Sequence, residues 1–272
     1  MSLKISNPSL LRKFDHLLRL LSAKPGWIAF SGGVDSTLLL PAALEAIPSE
    51  TGAFFADSLL QAEVDRENSR RLAEHLGARL RIVPFQPLAR PEIVANSSER
   101  CYLCKKAVYR EFLKLLPEGM VLMDGTNMDD AAEERPGRRA LAELRVETPL
   151  LAAELGKAEI RNLARQLGLP NWDRPSASCL ATRFPRDMPI DSELLRHIEV
   201  CEAMIRRFGF GHVRVRPVTG AAGHFQVELA REEMGRADFP SFRRRISDAL
   251  LGVGVGHLDF IGREGVFVNK NI

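Results

Sequence analysis

The sequence predicts an α/β fold, a parallel sheet with helices on both faces, followed by a small C-terminal α+β domain. Two observations predict the sheet. Short apolar runs at 27–30, 51–56, 79–84 and 119–124 alternate with stretches of helical periodicity. Small, polar or acidic residues follow the first, second and fourth of these runs, and ligands of open α/β sheets bind where parallel strands end. A third observation predicts the smaller part. Beyond Pro189 the chain changes to one long helix, two short strands and a second helix, which sets a boundary near 188 and domains of 1–188 and 189–272.

Residues 8–23 alternate leucine pairs with charged side chains at helical spacing and stop before Pro25-Gly26, so they read as an amphipathic first helix. The strand at 27–30 leads through Ser31-Gly32-Gly33 into a helix from about 36 to 46. Strand 51–56 ends at Asp57-Ser58, helix 61–76 closes at Gly77, and 79–84 is a third strand. Residues 85–100 are irregular, 101–116 are helical, and strand 119–124 runs into Gly125-Thr126-Asn127-Met128-Asp129-Asp130. The charged segment 131–145 reads as a mobile or ligand-ordered connection. Helix 157–167 is closed by Pro170, and 171–189 is loop-like. Helix 191–208, strands 212–216 and 225–230, helix 238–251 and strands near 257–261 and 265–269 complete the chain.

Composition sets limits. The 272 residues are 45% hydrophobic, ample for a core, and 27% charged, which argues against long disorder. A net charge of +3, from 38 basic and 35 acidic residues, does not point to nucleic acid. The N-terminal residues lack a signal-peptide pattern and the apolar runs are short of a membrane span, so cytoplasmic location without membrane attachment is the expectation.

The stretch 27–40, WIAFSGGVDSTLLL, concentrates the chemistry. A strand, a tight glycine turn and a helix N-terminus direct backbone N–H groups and a helix dipole into one concavity, which suits an anion of phosphate size. The same residues also suit an ordinary capped turn. The stretch is neither GxxxxGK[ST] nor GxGxxG.

Four cysteines, at 101, 104, 179 and 201, are too few for a secreted disulfide scaffold. Cys101 and Cys104 form a CxxC at a helix start, compatible with redox chemistry, with part of a metal site or with no joint role. With Cys179 they make three thiolates, a number suited to a [4Fe–4S] cluster with one open iron. Arg174 and Arg183 flank Cys179 and favour its thiolate; Cys201, within a helix, reads as core. His212, Arg214 and Arg216 alternate on a strand and share a face, as an anion clamp or as a charged edge. Asp129 and Asp130 are candidate Mg²⁺ ligands or helix caps.

SGGVDS at 31–36 resembles the signature of the PP-loop ATP pyrophosphatases, the adenine nucleotide alpha-hydrolase-like group. Together with CYLCK at 101–105, DGTNMDD at 124–130, RPGRRA at 135–140, the stretch 157–185 and RVR at 214–216, it resembles the LarE family over nearly the whole chain. The resemblance implies an ATP-dependent sulfur transferase. ATP would adenylate a carboxylate of pyridinium-3,5-biscarboxylic acid mononucleotide, releasing pyrophosphate, and sulfur would displace AMP to leave a thiocarboxylate for the nickel-pincer cofactor of lactate racemase. One branch of the family sacrifices its own cysteine, at the position of Cys179; another carries sulfide on a [4Fe–4S] cluster, and Cys101 and Cys104 are the extra pair expected of that branch.

By position, the resemblance implies that Ser31, Gly32, Gly33, Val34, Asp35 and Ser36 bind the ATP phosphates, with Asp35 organising them or Mg²⁺. Asp57 and Ser58 would meet adenosine, and Gly125 and Thr126 would line the nucleotide pocket. Cys179 and Arg183 would act at the sulfur step. Arg214, Arg216 and Glu202 would bind the pyridinium mononucleotide. Residues 96–99, Asn-Ser-Ser-Glu, lack the aromatic that the family usually carries before the CxxC. The sulfur source is expected to be inorganic sulfide or a donor, and the assembly a homo-oligomer through 189–272. The same residues leave three rivals: a tRNA thiolase of the same superfamily, an amidating synthetase, and a nucleotide-binding regulator.

Overall fold

The turn at Asn7-Pro8 starts the first helix, because the Asn7 side chain accepts the N–H groups of Ser9 and Leu10 and Pro8 tolerates the first helical position. Helix α1 (Pro8–Ala23) then buries Leu10, Phe14, Leu17 and Leu21 as one stripe. The computed structural model describes residues 5, 7–132, 136–175, 178–211, 213–220, 223–235, 239–251 and 257–263.

Strands β1 (Gly26–Ala29), β2 (Gly52–Asp57), β3 (Leu80–Pro84) and β4 (Val121–Met123) form a wholly parallel sheet in the order β3-β2-β1-β4. Helix α2 (Val34–Ala46) joins β1 to β2, and α3 (Glu63–His75) joins β2 to β3. The short α4 (Pro91–Val94) precedes α5 (Arg100–Leu115), which leads to β4. After β4 come α6 (Met128–Ala132), α7 (Pro136–Glu143), α8 (Pro149–Ala152) and α9 (Lys157–Gln166). Alternate strand residues face opposite sides. Ile28, Phe55 and Met123 pack with α1, α2, α8 and α9, while Ala29, Phe54 and Leu122 pack with Tyr109 and Phe112 of α5 and Leu141 of α7. Residues 136–143 are therefore a helix, not the connection that their charge suggests; Ala140 and Leu141 are buried and outweigh the neighbouring arginines.

In the C-terminal part, α10 (Ser192–Arg207) opens on an Asp191 cap and packs on β5 (Val213–Pro217), which shares a sheet with β6 (His224–Ala230) and β7 (His257–Arg263). Strand order is β5-β6-β7, antiparallel then parallel. Helices α11 (Arg231–Met234) and α12 (Phe239–Leu251) complete it. Its core holds Ile198, Cys201, Ile205, Phe210, Val215, Val227 and Phe242. The strand expected at 265–269 lies outside the described residues.

The chain divides into two compact units, 1–87 with 99–177 and 88–98 with 178–272. This division falls upstream of the boundary expected near 188. The reason lies in backbone pairing: Ile190 N donates to Val94 O (2.8 Å), Asp187 N to Asn96 O (3.2 Å) and Asn96 Nδ2 to Pro185 O (2.7 Å), so 88–98 and 185–190 fold together. Among the described residues no helix is long and apolar enough to cross a membrane.

Candidate active site

The first unit builds its site where β1 and β4 end. Gly32 has φ +72°, and a Cβ there would lie 2.1 Å from Ser69 Oγ. Only glycine allows that combination of left-handed backbone and close approach. Gly33 caps α2 without a side chain, so the first N–H groups of the helix have no intrahelical partners and open onto the turn. Ser36 Oγ accepts from Ser31 N (3.2 Å) and approaches Gly33 O (3.1 Å); Ser69 Oγ reaches Ser31 O (3.1 Å). The buried Asn171, far along the chain, donates to Gly32 O (2.9 Å) and Thr37 Oγ1 (3.0 Å). Hydroxyls and amides thus fix the carbonyls of Ser31, Gly32 and Gly33.

The β4 end closes against this turn. A Cβ on Gly125 would meet Ser36 N at 3.0 Å, and Asn127 Nδ2 donates to Asp35 Oδ1 (3.1 Å). Burial above all raises the Asp35 pKa over the ordinary carboxylate value; Lys157, the Asn127 hydrogen bond and Arg161 oppose the rise, and Asp130 adds to it. Asp130, whose charge adds to that rise, also lies 3.8 Å from Lys157 Nζ. Asp129 has a different partner: its Oδ2 accepts Lys157 N (2.6 Å) at the start of α9.

Thr126 is buried, and its N–H and hydroxyl both donate to Asp124 Oδ1. Asp124 also accepts from Tyr109 and pairs with Lys105 (3.2 Å). Burial pushes its carboxyl up, but Lys105, Thr126 and Tyr109 outweigh burial and hold it below the ordinary value. Burial and Asp124 push the Tyr109 hydroxyl well above its own ordinary value. Asp57 at the end of β2 pairs with Arg66 (3.1 Å) and Arg70 (2.9 Å), and the buried Ser58 Oγ accepts Leu60 N (3.2 Å). Cys101 and Cys104 lie one turn apart at the start of α5, exposed and half-buried. Lys105 of the same turn ties that helix start to β4 through Asp124.

The second unit holds Cys179, half-buried, just before the 3₁₀ turn Leu180–Arg183. Arg183 is buried and serves several acceptors. Its Nη1 reaches Ser178 Oγ (2.6 Å), Ser178 O (3.1 Å) and Cys179 O (3.3 Å), while Nε and Nη2 bind both oxygens of Glu202 (2.8 and 2.9 Å). Glu202 is wholly buried and also accepts Arg206 Nη2 (2.8 Å) and Val215 N (3.0 Å). The buried Glu228 pairs with Arg216 (2.7 Å) and Arg263 (2.6 Å), and Arg216 donates to Thr182 O. Arg214 is half-buried on the same face of β5 as Arg216; burial first, then Arg183 and Arg216, lower its pKa. Two carboxylates thus stand among five guanidiniums, and positive charge is in excess. His212, expected on this face, lies outside the described residues.

Cys201 is fully buried, and desolvation pushes its thiol up to about 12. Without a metal it stays protonated near neutral pH. Of the other cysteines, Cys101 is exposed and Cys104 and Cys179 are half-buried. Asn171, Asn127, Lys105, Tyr109 and Asp124 are the site residues given no role by sequence reasoning. Lys105 and Asp124 stand inside quoted motifs, and their signal is the opposite charge of two strongly patterned segments. Asn171 carries no local signal.

No protein-family model matches the chain. An uncharacterized protein of Synechocystis sp. is 34% identical over 209 residues, 76% of this chain and 77% of the relative. A tRNA(Ile)-lysidine synthase of Pseudomonas putida is 25% identical over 201 residues, 66% of this chain and 44% of the relative. The pyridinium-3,5-bisthiocarboxylic acid mononucleotide synthase of Lactiplantibacillus plantarum is 30% identical over 233 residues, 84% of this chain and 82% of that synthase. With that identity sustained along most of both chains, on a parallel sheet whose first turn is SGGVDS, this chain belongs to the LarE family of the PP-loop superfamily.

Proposed function

We propose that this chain is an ATP-dependent sulfur transferase that turns a carboxylate of pyridinium-3,5-biscarboxylic acid mononucleotide into a thiocarboxylate, in synthesis of the nickel-pincer cofactor. The observation that carries this reading is the setting of Cys179 in a LarE-family chain: a half-buried thiol in a turn whose carbonyls and hydroxyl are held by a buried arginine, with Arg216 on the same turn. Excess guanidinium charge there favours a thiolate and an anionic substrate.

In the proposed sequence the N–H groups of the β1–α2 turn hold the β and γ phosphates. A substrate carboxylate oxygen attacks the α phosphorus, the bond to the bridging oxygen breaks, and pyrophosphate leaves with the bonding pair. Sulfur then attacks the acyl carbon and AMP departs. Mg²⁺ would be held by Asp35 and Asp130 and would neutralise phosphate charge. A [4Fe–4S] cluster would be held by Cys101, Cys104 and Cys179 and would supply sulfide on its fourth iron. Arg183 orients the Cys179 turn. Arg214 and Arg216 bind the mononucleotide phosphate, and Glu202 keeps Arg183 and Arg206 in place. Asp57, Ser58, Gly125 and Thr126 line the nucleotide site.

A second reading has its own support in the accessibility of Cys179, which allows that thiolate itself to attack the acyl carbon. Loss of its Cα proton and scission of Cβ–S would then leave dehydroalanine. Anaerobic purification with iron and sulfide quantification separates the two. Roughly four irons per chain, lost in Cys104→Ala, are expected; no iron, or equal iron in the variant, sinks the cluster. Loss of the mass of H₂S at Cys179 after turnover establishes the sacrificial route. Pyrophosphate release that does not depend on the pyridinium mononucleotide overturns the substrate assignment.

A further inference from the structure

The pairing of β6 with β7 brings together three metal-ligating side chains that the transfer chemistry does not use. His224 stands opposite His257 in the parallel register, and Asp259, two residues beyond His257, projects from the same face. The two imidazoles meet with ring centroids 4.5 Å apart and nearly perpendicular planes. Both turn Nε2 toward one carboxylate: His224 Nε2 is 2.8 Å from Asp259 Oδ2, and His257 Nε2 is 3.4 Å from Asp259 Oδ1. One ligand atom from each residue lies within 4.8 Å of the other two.

We propose that His224, His257 and Asp259 form a binding site for a divalent transition-metal ion, with zinc as its reference occupant. A tetrahedral ion bound at about 2.0–2.1 Å holds its ligand atoms roughly 3.3 Å apart, so these side chains need only small rotations to enclose one. Two imidazoles and one carboxylate select a borderline ion over Mg²⁺ or Ca²⁺, which favour all-oxygen shells. The strand ladder fixes the Cα positions in advance, so little ordering accompanies binding. All three side chains are partly exposed, His257 to 65%, and an ion enters without any opening of the fold. Three protein ligands leave a fourth position for water or for a group from another molecule. The ion would clip the start of β7 to the start of β6, a structural role for the C-terminal unit.

The test uses the untagged full chain with Cys101, Cys104 and Cys179 replaced by serine, so that thiolates do not compete. Zinc chloride is titrated by calorimetry, and the bound metal is read by X-ray absorption. The site predicts about one zinc per chain with nitrogen and oxygen ligands only. His257→Ala abolishes it, and Asp259→Asn, nearly isosteric and expected to fold normally, weakens it at least about tenfold. Absence of bound zinc, equal binding by both variants, or sulfur in the first shell overturns the proposal.

Discussion

The turn between β1 and α2 and the turn that carries Cys179 both gather positive potential, yet they are assembled from different materials. The first uses backbone N–H groups, a helix dipole and neutral hydrogen-bonding side chains: Ser36, Ser69 and Asn171 hold its carbonyls in place. The second uses full charges, with Arg183, Arg206, Arg216 and Arg263 arranged on the buried Glu202 and Glu228. Neutral dipoles lose little on burial, whereas each buried ion depends on its partner for compensation. The first turn should therefore fail by loss of shape and the second by loss of charge balance.

The largest effect is expected in the second. Glu202→Ala leaves Arg183 buried without its counter-charge and removes the acceptor of Val215 N. A loss of about 3–5 kcal/mol follows for breaking one side of a buried pair. Urea unfolding monitored on the C-terminal unit measures it, and a loss under about 1 kcal/mol would mean that water already screens the pair.

In the first turn the corresponding perturbation is steric. Gly32→Ala drives a methyl against Ser69 at a positive φ, at about 1–3 kcal/mol, and should abolish pyrophosphate release. Gly33→Ala is the control. Its φ is −71° and its nearest neighbour, Ser31 Oγ, is 3.4 Å away, so no clash arises and the loss should be confined to the poorer alanine cap, about 1 kcal/mol or less. Equal losses in the two variants would refute the shape argument. Asn171→Ala removes the donor to Gly32 O and to the buried Thr37 hydroxyl, at about 1–3 kcal/mol, and should raise the KM for ATP.

The same contrast explains what the sequence made legible. The SGGVDS turn is local: strand, glycines and helix start are contiguous, and the parallel sheet around it follows from the strand and helix rhythm. Cys101 and Cys104 announce themselves by spacing. Glu202 did not declare its burial, because its partners Arg183 and Val215 are 19 and 13 residues away and meet it only once α10 packs on β5. Asn171 is 139 residues from Gly32, and no local pattern connects them. Helix 136–143 was obscured because RPGRR reads as a loop, while Ala140 and Leu141, which decide its placement, are too short a run to signal a helix.

Asp35 sharpens the comparison through pH. Its folded pKa is raised, so the native state binds more protons than the unfolded chain between the ordinary carboxylate value and the raised one, and stability falls as pH rises through that window. Asp35→Asn removes this loss and should make the free protein slightly more stable at neutral pH while lowering pyrophosphate release by orders of magnitude. Destabilisation by the same substitution would show that Asp35 supports the fold through Asn127 and not the ligand.

Cys201 should show the smallest effect on chemistry. It sits in the same C-terminal unit as Cys179, yet burial raises its thiol to about 12, with Glu202 adding to the rise. Only the thiolate reacts, and four pH units below the pKa it is about one part in ten thousand of the total. Iodoacetamide at pH 8 should therefore label Cys101, Cys104 and Cys179 in the folded, cluster-free chain and reach Cys201 only after unfolding, as peptide mass spectrometry would read directly. The unfolded thiol ionises near 9 and the folded one near 12, so the native state retains a proton that the unfolded chain has lost, and stability should decline across pH 9 to 12. Native labelling of Cys201 would mean that α10 opens toward solvent, and the charge network on Glu202, its neighbour in sequence, would then be open to water as well.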